Sequence, residues 1–344
     1  MFVVNNYVLA VILCFVTMLC WGSWGNTQKL AAKSWRYELF YWDYVIGMVI
    51  FSLILAFTLG SFGPAGRPFL QDIAQASGES IKWLVLGGVI FNVSNILLSA
   101  STSIAGMSVA FPLGCGLALV LGVYNNYRVE VAQGALKSNL TLLVIGVALV
   151  VAAIICNGIA SGRKSGGSEI SKADQRKGII LAFLAGFIMS FFSSFVMRAM
   201  DLANFKTIGG YAAGKVTPYT ALVVFCLAVF ACNLIVNPIV MKKPFVGAPV
   251  KMSEYFKGNS KTHLVGMLGG SIWCLGTALS YITSGTAGAS VSYALGQGAP
   301  MIAAIWGIFV WKEFKGAKKG VGGLLTAMFI LFLVGLGCIV AAGN

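Results

Sequence analysis

Long runs of apolar residues, each closed by a cluster of charge, proline or glycine, make up most of the chain: 8–29, 42–60, 81–101, 106–124, 139–160, 178–198, 217–240, 262–282, 287–310 and 321–342. A helix crossing the hydrocarbon core of a bilayer needs about 20 mostly apolar residues. Thr141–Ala160 and Leu324–Ala342 meet that length without a charge. The pattern predicts an all-α integral membrane protein of ten transmembrane helices. The most hydrophilic short connection, 161–177, divides a first five-helix half, 1–160, from a second, 178–344.

Sliding the sequence against itself by 182 residues lays helices three and four over helices eight and nine without a gap. Leu86-Gly87-Gly88 falls on Leu268-Gly269-Gly270, Ala105-Gly106 on Ala287-Gly288, Ser108-Val109 on Ser290-Val291, Leu113-Gly114 on Leu295-Gly296, and Gly116 on Gly298. Glycine-rich membrane helices can resemble one another by composition alone, since close packing demands small residues. Register kept across two helices and their connection favours duplication. Because five is odd, the second copy is expected upside down: two inverted five-helix repeats, a common frame for alternating-access transporters.

Composition and charge sharpen this picture. Of 344 residues, 58% are apolar and 10% charged, against about 25% charged in an ordinary soluble domain, which excludes a soluble fold. A net charge of +14 would point a soluble protein toward nucleic acid, but here the 24 Lys and Arg lie almost wholly in short connections. That reads as membrane orientation and not as nucleic-acid binding. Connections after odd-numbered helices hold 17 of them and those after even-numbered helices 7. The positive-inside rule then places 161–177 and Lys312–Lys319 in the cytoplasm and both termini outside, in a multi-pass protein. Residues 8–28 are too long, and lack the basic start, for a cleavable signal. Eight cysteines fall in apolar segments with no CxxC and no nearby histidine, so they read as packing residues, not metal ligands.

No catalytic set is visible. His263 is the only histidine and has no triad partners in the sequence, and there is no GxxxxGK[ST] loop for ATP. No cofactor is implied, and an enzyme is disfavoured. Ionisable residues inside a membrane are functional candidates. Asp43, opening helix two, is the proton-coupling candidate; the competing account is an interfacial residue beside Tyr41, Trp42 and Tyr44. Glu313 reads as a solvated loop charge, and Arg198 and Asp201 as a pair at the end of helix six. Neutral hydrogen-bonding groups furnish the interior: Ser23, Asn26, Asn92, Asn95, Thr277, Tyr293 and Gln297. Singly each could be glue between helices; as a set a polar cavity explains them more simply. Trp21, Trp24 and Trp273 add flat faces suited to a sugar ring or a planar urea-like solute, although tryptophans near helix ends also anchor to the interface. Phosphorylated cargo would need paired cations that the interior lacks.

The sequence resembles the drug/metabolite transporter superfamily, and within it the ureide permease group with the glucose/ribose and rhamnose/proton porters as relatives. The resemblance is carried by Trp21-Gly22-Ser23, Tyr41–Tyr44, Ala56–Gly60 with Gly63-Pro64 and Arg67-Pro68, Asn95, Val216–Ala221, Gly285–Gly288, and Trp306-Gly307-Ile308 before Glu313. It implies uptake of a small neutral polar solute with protons across the cytoplasmic membrane, and Asp43 and Asn95 fall on matching positions. The short central connection departs from the longer polar segment of plant members and fits a bacterial chain. The leading expectation is a proton symporter for a sugar or a ureide or nucleobase. An exporter of the same fold and a non-transporting receptor or scaffold are the alternatives, and a homodimer is a further expected partner state.

Overall fold

The computed structural model describes residues 1–32, 35–63, 65–105, 107–163, 172–204 and 212–344. Helices α1 (Tyr7–Ser23), α2 (Gly25–Ala31), α3 (Tyr37–Phe57), α4 (Phe69–Gln75), α5 (Gly78–Ala105), α6 (Met107–Ala132) and α7 (Leu140–Gly162) form the first half. The second comprises α8 (Lys172–Met189), α9 (Phe192–Ala199), α10 (Pro218–Lys242), α11 (Met252–Tyr255), α12 (Ser260–Ala287), α13 (Ala289–Gly296), α14 (Ala299–Ile305), a π-helical turn at Trp306–Val310, and α15 (Val321–Ala342). Residues 164–171 of the 161–177 connection lie outside the described residues.

Among the described residues, nine helical stretches are long and apolar enough to cross a membrane, counting α1 with α2, α8 with α9, and α13 with α14 and the π turn as single crossings. The remaining expected crossing falls on α6, a helix of 26 residues that is not one of the nine. Large apolar side chains on the outer faces, such as Ile12, Ile54, Val144, Phe183, Ile235 and Leu333, are exposed, as a lipid-facing surface requires. In lipid no water satisfies the free N–H groups at a helix start, and side chains do so here. Asn6 accepts from Leu9 N at 3.0 Å, Asn139 from Leu142 N at 3.2 Å and Asn259 from Thr262 N at 2.8 Å.

The bounds of α12 lie 182 residues after those of α5 at both ends, and α13 begins 182 after α6. Packing repeats with the same offset. Gly88 of α5 lies against Phe225 O and Ala228 of α10, and Gly270 of α12 against Tyr44 O and Met48 N of α3. The aligned Leu-Gly-Gly segments are thus where each helix meets the neighbour that sits in the corresponding place.

Three expected helices are interrupted. The first breaks at Trp24, the sixth at Ser190-Phe191, and the ninth at Gln297-Gly298 and again into the π turn. Both chain ends gather at one end of the bundle: Tyr7 OH donates to Val340 O at 2.5 Å, Asn139 N to Ala342 O at 2.7 Å and Thr286 Oγ1 to Val4 O at 2.5 Å. The Met1 ammonium donates to Gly63 O at 3.2 Å and Ala65 O at 2.6 Å, and burial lowers its pKa.

Candidate functional site

The interruption of α1 at Trp24 sets the geometry, because consecutive residues on its two sides serve two separate cavities. The first, of about 40 Å³, is lined by Trp21, Trp24, Phe91, Asn95, Trp273 and Gln297 among others. Its walls are aromatic. The Trp21 and Trp273 rings are within 13° of parallel with centroids 6.4 Å apart, Tyr293 meets Trp21 edge-on at 6.2 Å, and Phe91 lies 4.3 Å from Trp273. Hydrogen bonds fix these rings. Trp21 Nε1 donates to Thr277 Oγ1 at 3.2 Å, Thr277 donates to Trp273 O at 3.0 Å, and Tyr293 OH to Ala118 O at 3.3 Å. Asn95 Nδ2 donates to Tyr41 OH at 3.2 Å. Rigid aromatic faces with a few placed amides are the usual makeup of a small-molecule site.

Beyond the interruption, Asn26 lines a second cavity of about 40 Å³ with Asn157, Ser161, Trp311 and Glu313. Trp306 Nε1 donates to Ser23 Oγ at 2.9 Å, and Trp311 Nε1 to Asn26 Oδ1 at 2.6 Å. The π turn, closed by Trp311 N to Trp306 O at 2.9 Å, spaces the two indoles for these contacts; such turns concentrate at functional sites. Glu313 is therefore not a solvated loop charge. It pairs with Lys29 at 2.6 Å, and Lys29 Nζ lies 4.3 Å from the centre of the Trp311 ring.

The residues expected to bind solute divide accordingly. Trp21, Asn95, Trp273 and Gln297 line the first cavity, Thr277 and Tyr293 hold its rings, and Ser23 and Asn26 belong with the second. Asn92 is fully buried, and among the described residues neither its Nδ2 nor its Oδ1 has a hydrogen-bond partner; the hydroxyl of Tyr281 is in the same condition. The expected Arg198–Asp201 pair does not form: Arg198 lies over the Trp83 ring at 4.7 Å, and Asp201 accepts from Ala212 N at 2.6 Å. The stacking and the loop amide satisfy both groups separately.

Asp43 lies in the second turn of α3, 2% exposed and away from both cavities. His263 Nδ1 is 2.9 Å from its Oδ2 and 3.1 Å from its Oδ1, and Tyr255 OH donates to Oδ1 at 2.6 Å. Trp35 closes the cluster, edge-on to His263 at 4.6 Å and stacked on Tyr255 at 5.5 Å. Burial first, and the Asp43 carboxylate second, raise the pKa of the Tyr255 phenol, which keeps it a donor. Sequence reasoning left His263 without partners because its carboxylate sits on another helix 220 residues away.

Sequence reasoning also passed over Glu130. It is 1% exposed and caps α13: Ala289 N donates to Oε1 at 2.8 Å, Ser290 N to Oε2 at 3.2 Å, and the Ser290 hydroxyl also to Oε2. Lys137 Nζ donates to Gly285 O at 2.6 Å beside it. The available signal was a glutamate at the end of an apolar run, in Val129-Glu130-Val131.

A family model for ureide permeases matches residues 40–177 and 169–342. Ureide permease 1 of Arabidopsis thaliana is 22% identical over 391 aligned positions, covering 100% of this chain and 99% of the plant protein. An L-rhamnose-proton symporter of Yersinia pestis is 28% identical over 198 positions, covering 55% of this chain and 54% of the symporter. One solved crystal structure, 14% identical, matches 96% of each chain with a TM-score of 0.55, a likeness of fold.

Proposed function

The chain belongs to the ureide permease family and is a multi-pass membrane transporter of small polar solutes, not an enzyme; from that premise we propose that it moves a neutral polar solute together with a proton, holding the solute between Trp21 and Trp273. The cavity carries this reading. Two indole faces offer surface to a sugar ring or a planar ureide, while Asn95 and Gln297 supply amides, and the lining includes no charged residue. A phosphorylated or strongly ionic cargo would need charged partners there.

Proton coupling finds support in the name of one relative, a rhamnose-proton symporter, and in Asp43, a buried carboxylate whose partner can itself carry a proton. Ten crossings in two inverted repeats fit the matched bounds of α5 and α12. They also fit the meeting of both chain ends at one end of the bundle, which an even number of crossings, with one by α6, accounts for. Interrupted helices beside the cavity are the usual construction of such sites. On this reading the Asn92 and Tyr281 groups, without partners among the described residues, find water or solute in another state of the transport cycle, since each would otherwise cost about 1–3 kcal/mol.

Uptake into proteoliposomes tests the proposal. Radiolabelled L-rhamnose, ribose, allantoin and uracil are offered with and without an imposed inward proton gradient. One of them should accumulate against its gradient only when protons drive it. Exchange of preloaded solute without accumulation would sink the coupling, and equal accumulation in protein-free liposomes would sink solute transport.

A further inference from the structure

Resting on the transport reading, we propose that the space walled by Asn26, Asn157, Ser161, Trp311 and Glu313 is a second binding site for the same class of neutral polar solute, and that Gly22 forms the barrier between it and the first cavity. The Trp21-Gly22-Ser23 segment then has one task per residue. Trp21 walls the first cavity, Gly22 closes the passage, and Ser23 accepts from Trp306 at the edge of the second.

Close approach at Gly22 makes the barrier. A Cβ at that position would come within 2.5 Å of both Ala299 O and Ile302 Cβ, so α1 meets α14 there with no side chain of its own between them. Ala299 lines the first cavity, while Pro300 and Ala303 line the second. Residues within one turn of α14 thus face different spaces, and Gly22 packs against that turn. The mobile part is also defined: α14 has 7 residues and stands between the Gln297-Gly298 interruption and the π turn. With non-α backbone at both ends it can shift as a unit without breaking a regular helix.

The chemistry of the second space matches a neutral solute with several hydroxyl or N–H groups. Asn157 is 7% exposed, faces this cavity and makes no side-chain hydrogen bond to a described residue, so its amide offers one acceptor and two donors. Asn26 is already engaged, its Oδ1 by Trp311 and its Nδ2 by Ser23 O, and so positions the Trp311 ring as a wall. The Glu313 carboxylate supplies acceptors, and its pairing with Lys29 cancels its charge. The space lies at the end of the bundle that carries the Lys312–Lys319 connection, the release side under the positive-inside assignment.

The test uses the full chain reconstituted in liposomes, with Ala303→Cys and Ala299→Cys made separately. A membrane-impermeant methanethiosulfonate is added from the side of the Lys312–Lys319 connection, and labelling of each position is read by mass spectrometry. The barrier predicts labelling of A303C about tenfold faster than A299C, the ratio for a passage opening that costs about 1.4 kcal/mol; equal rates overturn it. Whichever of L-rhamnose, ribose, allantoin and uracil the wild-type protein takes up should protect A303C, and Asn157→Leu should abolish that protection. Uptake by the wild type without protection of A303C overturns the second site alone. Absence of uptake of L-rhamnose, ribose, allantoin and uracil alike overturns the reading on which it rests.

Discussion

Asp43 is readable as a candidate because a carboxylate in an apolar helix is costly unless something compensates it. What compensates it is not readable, since Tyr255 and His263 come from the far half of the chain. The two accounts weighed for Asp43 make different predictions. An interfacial anchor tolerates the isosteric amide, whereas a proton carrier does not. Asp43→Asn is expected to abolish gradient-driven accumulation while leaving solute exchange in place, both measured in proteoliposomes; unchanged accumulation would remove Asp43 from coupling. Tyr255→Phe separates structure from coupling at the same cluster. It removes one hydrogen bond to a charged acceptor, worth about 1.5–3 kcal/mol, and should appear as a lower melting temperature in detergent with accumulation retained. The aromatic and amide residues of the cavity were legible for a different reason. Polar groups inside apolar runs stand out one by one, but only the fold sorts Ser23 and Asn26 from Asn95 and Gln297.

Among the elements, α13 depends most visibly on a single side chain. It follows Gly288, whose φ of +91° is open to glycine and strained for other residues. A Cβ at Gly288 would in addition approach Glu130 Oε1 to 2.6 Å. Glu130→Ala strips the acceptor from two backbone N–H groups and a serine hydroxyl at once. It is expected to destabilise the protein by about 3 kcal/mol, as breaking a buried charged network does, and Glu130→Gln by less, because the amide oxygen still accepts. Thermal denaturation of the two variants in one detergent ranks them; equal stability of E130A and wild type would show the cap to be dispensable. Hydropathy alone could not show that α1, α8 and α14 are bounded by interruptions, because both sides of each break are apolar. Gly296, Gly298 and Pro300 were the one visible warning, while Ser190 and Trp24 carry none.

At the scale of the molecule, the count of crossings is an argument about ends. The hydrogen bonds from Tyr7 to Val340 and from Asn139 to Ala342 tie the first helix, the start of α7 and the last turn of α15 together. The Lys29–Glu313 pair and the Asp43–His263 pair gather the α2 region and the start of α12 at the other end. Ends that meet on one side fit an even number of crossings, and on the proposed ten-crossing topology α6 is the helix that makes the number even. Its 26 residues give about 39 Å at 1.5 Å per residue, more than the roughly 30 Å hydrocarbon core. On the proposed topology the distribution of Lys and Arg orients the whole, with the basic Lys312–Lys319 connection on the cytoplasmic side and Met1 and Asn344 outside. Topology reporters fused after Asn344 and inserted in the 312–319 connection should report opposite sides, with the C-terminal one outside. Opposite sides with the signs exchanged would invert the orientation and leave the even count intact, whereas protease accessibility of the two chain ends from different faces would reduce the bundle to nine crossings and break the inverted repeat.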